Sequence, residues 1–225
     1  QKENGGWRGW DVDAITFNDD VTTGALELFR NIVQGDKSFA WLNDSVRNKI
    51  HAAFERGLKM VLDCQVRQRG VKTAWAQQHD NITLQPVKAR TFELPAITAN
   101  ESCEILLFLM GIKNPSPEVV EAIHCGMKWL RQVQIKDVKL KRVPLTPDQI
   151  INHEYPYDLV VVKDLKAEPI WARFYEVTNN KPFMCTRSGK KVWRLADVDP
   201  ERRTGYDWYG YWPKKVFEAY AKFIS

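Results

Sequence analysis

Apolar residues recur at helical spacing through most of the chain. Val21, Ala25, Leu28, Phe29 and Ile32 fall on one face of a segment running from Val21 to Gln34, and Gly35-Asp36 closes it. Asn18, Asp19 and Asp20 stand in front of it as capping and first-turn residues. A second stripe, Val46, Ile50, Ala53, Phe54, Leu58, Val61 and Leu62, predicts a long helix entered at Asp44-Ser45 and ending near Gln65. A third helix is expected from about Asn100 to Ile112. It is apolar nearly all round and therefore buried. Ser116-Pro117 is an N-cap followed by proline at the first helical position, and it opens a fourth helix to about Val133. A last helix runs from Pro213 to Phe223. Two helix pairs joined by short turns predict an α/α architecture.

The period changes after Ile135. Residues 135–164 alternate and carry Pro and Tyr, with Asp158 to Lys163 the best strand, and a Ser188-Gly189 turn joins two short apolar-aromatic runs as a hairpin. Between the second and third helices, residues 74–95 fit neither period. Pro86 and Pro95 interrupt them, yet they hold Trp75, His79, Asp80, Arg90 and Glu93. A long irregular loop inside a compact domain is usually functional, so this stretch is expected to form one wall of a site.

With 225 residues, 44% of them hydrophobic and 27% charged, a single domain spanning 1–225 with a full core is expected. No apolar run approaches the ~18 residues a membrane span needs, and no membrane partner is expected. No signal peptide opens the sequence, and QKENGG reads as a mature or trimmed end. The net charge of +5 suits an anionic partner. No helix-turn-helix, zinc-finger or RNA-binding pattern points to nucleic acid. The four cysteines are far apart, with no CxxC pair, which argues against zinc. The nine tryptophans supply core, and also stacking surface for a flat ligand such as a sugar.

Several residues carry two readings. Asp19 and Asp20 are helix caps, or adjacent hard oxygen donors for a cation. His79-Asp80 is an acid–base pair or a loop hydrogen bond. Arg90 pairs with Glu93 three residues on, or acts on a substrate. Arg173, Arg202 and Arg203 are solvated charges, or carboxylate clamps. Tyr206, Trp208 and Tyr209, which follow the last two arginines, favour a sugar groove.

Taken in order, NGGW, ITFNDD before a helix, TAW-QHD-TL-P-AR-FE-P, ES–I–FLM with NPSPEVVEAI, WARFYE and ERRTGY-WYG-WP resemble the family 10 polysaccharide lyases, the pectate lyases, over nearly the whole chain. The resemblance implies helical hairpins arranged as a partial (α/α) toroid, mainly α, with short β-hairpins in the C-terminal half. It implies calcium-dependent β-elimination of polygalacturonate by a secreted or periplasmic enzyme, expected as a monomer. Asp19, with Asp20 beside it, then falls on the calcium and substrate-carboxylate site. Arg90 falls on the catalytic base, and Arg173 and Arg203 on the basic groove. The sequence departs from the family pattern in lacking GGWPKN-like and DNGAT-like stretches from roughly a hundred residues usually found upstream, a length on the scale of a small domain. Residues 138–166 read as an insertion. The alternative is a protein derived from such a lyase that grips acidic polysaccharide without cleaving it.

Overall fold

In the computed structural model, which describes residues 1–225, the apolar stripes become helices almost where the spacing puts them. These are α1 (Val21–Val33), α2 (Asp44–Asp63), α3 (Ala99–Met110), α4 (Pro117–Gln132), a short α5 (Pro200–Thr204) and α6 (Pro213–Phe223). Ser116 caps α4, its hydroxyl accepting from the Val119 amide, and Pro117 takes the first turn. At α2 the cap is Asn43, one residue before the expected Asp44-Ser45. α3 buries Ala99, Ser102, Cys103, Ile105, Leu106, Phe108 and Leu109, as an all-round apolar helix must.

Twelve short strands make five small antiparallel sheets. β1 (Ile15–Thr16) pairs with β4 (Gln78–His79), and β2 (Arg67–Gln68) with β3 (Val71–Lys72). β5 (Ile97–Thr98) is the edge of a four-stranded sheet completed by β9 (Phe174–Tyr175), β10 (Pro182–Cys185) and β11 (Lys191–Val192). β6 (Val138–Pro144) and β7 (Tyr157–Lys163) form a long hairpin, and β8 (Trp171–Ala172) pairs with β12 (Tyr209–Gly210).

This corrects the expected mainly-α toroid. About 40% of the chain is helical and 18% is strand. The helices do not ring an opening, because α3 fills the middle and packs on α1, α4 and α6. A second apolar cluster of 10 buried residues, including Phe92, Phe174, Phe183 and Trp208, is built by the sheets and the C-terminal loops. The architecture is a helical cluster joined to small sheets. Helical spacing reports which face of each helix is buried, but not against what, so two helical hairpins were compatible with either arrangement.

The central loop is less of a surface than its polarity suggests. Trp75 is fully buried, and its indole Nε1 donates to the Val61 carbonyl at 2.7 Å. Its backbone N–H and C=O are both met by the Ser102 hydroxyl on α3. The loop is thus fastened to the central helix by its buried first part, residues 74–79, while Ile82, Thr83, Gln85, Lys88, Arg90 and Thr91 further along reach solvent.

Candidate active site

Two strand pairings bring distant segments to one place. Phe17 N–H donates to Gln77 C=O at 2.8 Å just beyond the β1–β4 ladder, which sets Asn18 beside Gln77. The β5–β9 ladder pairs Thr98 with Phe174, and Ala99 N–H donates to Arg173 C=O, so Arg173 lies against the first turn of α3. Arg173 is 8% exposed and Glu101 2%. The Arg173 guanidinium donates through Nη2 to Glu101 Oε1 at 2.6 Å and to Asn18 Oδ1 at 3.2 Å.

From Glu101 the hydrogen bonds continue. Gln77 Nε2 donates to Glu101 Oε1 (3.1 Å) and to the Tyr206 hydroxyl (3.3 Å). That hydroxyl donates to Glu93 Oε1 (3.1 Å), and Arg173 lies over the Tyr206 ring at 4.8 Å. Glu93 receives Arg90 through both Nε (2.9 Å) and Nη2 (2.5 Å). At the other end, Asn18 Nδ2 donates to Asp19 Oδ2 at 3.1 Å. One polar chain, buried at Asn18, Arg173, Glu101, Gln77 and Glu93, therefore runs between the exposed Asp19 and Arg90. Its Glu101 Oε2 and Arg173 Nε have no partner, an open valence in an otherwise satisfied network.

Beyond Arg90 the surface opens into a cleft of about 660 Å³ lined by Asp11, Ala89, Arg90, Thr91, Phe92, Arg187 and Arg202. Three guanidinium groups gather on the Phe92 ring, Arg202 at 4.3 Å, Arg90 at 5.1 Å and Arg187 at 6.0 Å from its centre. Cation–π attraction makes this crowding tolerable. The bond to Glu93 holds Arg90 above its ordinary pKa, while burial and the neighbouring Arg187 push Arg202 below its own. Arg187 arrives by way of a tight turn. Gly189 has φ +86°, and a Cβ there would come within 2.6 Å of the Thr91 carbonyl. Only glycine lets the 186–190 turn close on the segment that carries Arg90. Three convergent guanidiniums make a ready receptor for carboxylates.

The structure sorts the expected site residues. Arg90, Arg173 and Tyr206 belong to the network or the cleft, with Asp19 and Asp20 at its far end. His79 does not line a groove. It is 0% exposed, its Nε2 accepts from the Ala76 N–H (3.1 Å), and its Nδ1 meets the Leu84 carbonyl (2.8 Å), so both ring nitrogens are used inside the fold. Burial takes its pKa down to about 4. Asp80 caps its own turn, with Oδ1 accepting from the Ile82 and Thr83 amides. Arg203 points away from the cleft and is held bidentately by Asp158 of β7, at 2.8 and 2.7 Å. Trp208 is 2% exposed and packs in the second core cluster. Tyr209 lines a separate, more apolar cavity with Leu159, Trp193 and Arg203. Arg187 was missed. Its only sequence signal is a Ser-Gly turn beside it, which says hairpin and nothing about where the hairpin docks.

For a cation, Asp19 and Asp20 occupy consecutive left-handed residues, φ 53° and 55°, with both side chains exposed before α1. They are not side-chain caps of that helix. Two adjacent non-glycine residues in this conformation are strained, the kind of outlier found at functional sites. Their carboxylates are the oxygen type that calcium takes. No group of three or more His, Cys, Asp or Glu side chains gathers to hold a metal. The pair thus fits calcium as part of a set that water and a ligand's own oxygens would complete.

Comparison with known proteins identifies the family and the fold. A family model described as pectic acid lyase matches residues 1–217. The fold superposes on the family 10 polysaccharide lyase from Cellvibrio cellulosa with a TM-score of 0.83 at 26% identity, covering 100% of this chain and 68% of that one. A mutant of that lyase, in complex with trigalacturonic acid, matches with the same TM-score and identity over 69% of its length. A search of curated protein sequences finds no match. The chain belongs to the pectic acid lyase family and is a polysaccharide lyase.

Proposed function

We propose that the chain cleaves polygalacturonate by β-elimination, with calcium as cofactor and Arg90 as the base. The observation that carries this reading is the gathering of Arg90, Arg187 and Arg202 on one ring in an open cleft. A polyuronate presents one carboxylate per sugar, and Arg187 and Arg202 suit two of them.

Elimination removes the C5 proton, forms the C4–C5 double bond and expels the C4 oxygen. Arg90 engages Glu93 through Nε and Nη2, which leaves Nη1 for the substrate. Glu93 fixes the plane of the guanidinium and Tyr206 fixes Glu93. Calcium at Asp19 and Asp20 would supply charge neutralisation of a uronate carboxylate, making the adjacent C5–H more acidic. A strongly basic group suits such a weak carbon acid, provided some neutral fraction is reached. Because Glu93 favours the charged form of Arg90, activity rises into alkaline pH. On this reading the enzyme works as a monomer. A polymer of this charge does not cross membranes, so an enzyme that acts on it whole is expected to be secreted or periplasmic.

The test is ultraviolet absorbance of the unsaturated product on polygalacturonate, with calcium and then with chelator. Calcium-dependent absorbance is expected. Retention on the polymer without absorbance would overturn cleavage and leave a binding protein.

A further inference from the structure

We propose that Trp10 is a stacking platform for a uronate ring lying just outside the arginine cleft, so that it sets a preference for polymer over short oligomers. This rests on the polyuronate reading above.

Trp10 is 95% exposed. Its neighbour Asp11 lines the cleft with Arg90, Arg187 and Arg202, and adjacent Cα atoms are about 3.8 Å apart. The Trp10 backbone therefore stands at the rim, with its indole open to solvent. The segment is pinned rather than loose. Gly9 N–H donates to Thr16 Oγ1 (2.9 Å), Arg8 Nε donates to Gly9 C=O (3.1 Å), and Asn81 Nδ2 donates to Asp13 C=O (2.7 Å). Other exposed tryptophans have internal partners: Trp41 Nε1 donates to the Ser38 carbonyl, and Trp193 lies under Lys181 at 3.6 Å. The Trp10 side chain has none.

An isolated exposed apolar residue needs no explanation. An uncommitted indole on a pinned backbone beside a carboxylate receptor is different. The carboxylates of successive sugars are drawn to the arginines, and each ring also has an apolar C–H face. A large, rigid aromatic surface covers that face while losing little side-chain entropy. The acidic Asp11 beside it repels carboxylates and accepts from hydroxyls, which turns the ring's carboxylate toward the arginines.

The experiment compares wild type, Trp10→Ala, Trp10→Phe and Trp41→Ala on polygalacturonate and on trigalacturonate. A parallel measurement follows retention on immobilised polygalacturonate. For Trp10→Ala we expect a rise of about tenfold in polymer KM, as loss of one stacked ring implies. The rise on trimer should be smaller, retention should weaken, and Trp10→Phe should recover most of the loss. Trp41→Ala should stay within twofold of wild type. Trp10→Ala within twofold on polymer, with unaltered retention, overturns the platform while leaving the lyase reading intact. No unsaturated product from any variant, but weaker retention of Trp10→Ala, upholds the platform and overturns the lyase reading.

Discussion

Arg90 commits Nε and Nη2 to Glu93, and this has a measurable sign. The carboxylate raises the pKa of Arg90, so the neutral guanidine appears only at high pH. Glu93→Gln keeps the shape and removes the charge. The rise of kcat/KM with pH should therefore move to lower pH, although the peak falls because one acceptor oxygen is lost. A rise that stays in place or moves upward would sink Arg90 as the base. Arg90→Ala should lower kcat by about 10²-fold or more. His79 makes a second case. Its pKa lies near 4 in the fold, against an ordinary value of about 6.5. The unfolded chain thus binds a proton that the folded chain refuses as pH falls through that window. The stabilisation from neutral His79 is complete above about pH 6.5 and is lost toward pH 4, at most about 3 kcal/mol. An imidazole titration followed by NMR should show a midpoint well below 6, and a midpoint above 6 refutes the buried assignment.

At the scale of elements, the turn at Gly189 is the sharpest test. Alanine there must hold φ +86° and must also push the Thr91 carbonyl away. Gly189→Ala should cost about 1–3 kcal/mol of stability. It should also lower kcat/KM, because Arg187 and Arg90 separate, and chemical denaturation beside kinetics on polygalacturonate reads both. Stability lost without loss of kcat/KM would mean that the turn does not position Arg187. The helices themselves were legible. Observed α4 and α6 lie within a residue of the expected spans, because a continuous apolar face and a Ser-Pro or Pro start are local signals. The β6–β7 hairpin was visible for the same reason, as alternation. What pairs with what was not local. Nothing in residues 97–98 announces β9, some 76 residues on, yet that ladder sets Arg173 on Glu101. Arg203 shows the same limit. Beside Arg202 on a short helix it looks equivalent, but Asp158 on the hairpin takes it out of the cleft.

For the whole molecule, the expected toroid failed where the sequence is least informative, in the packing partners of α3. A helix apolar all round can line a ring or fill a centre, and here it fills the centre. If calcium acts as proposed, this arrangement assigns it to the reaction rather than to the fold. A cluster of 29 buried apolar residues holds the helices together. Asp19 and Asp20, by contrast, are exposed at the edge of that core. A chelator should therefore abolish product formation on polygalacturonate while moving the thermal midpoint by only a degree or two. A single surface-site contribution of ~1 kcal/mol corresponds to roughly 2–4 °C for a domain of this size, and two carboxylates that need a ligand's oxygens to complete the shell bind calcium weakly when no substrate is present. Added substrate then closes the shell, so calcium and polymer should each tighten the other's binding by the same factor. Titrating calcium with and without an uncleaved oligogalacturonide measures that factor. If calcium binds equally well in both, Asp19 and Asp20 do not share the ion with the substrate. A chelator that lowers the thermal midpoint by tens of degrees would instead assign calcium to the fold.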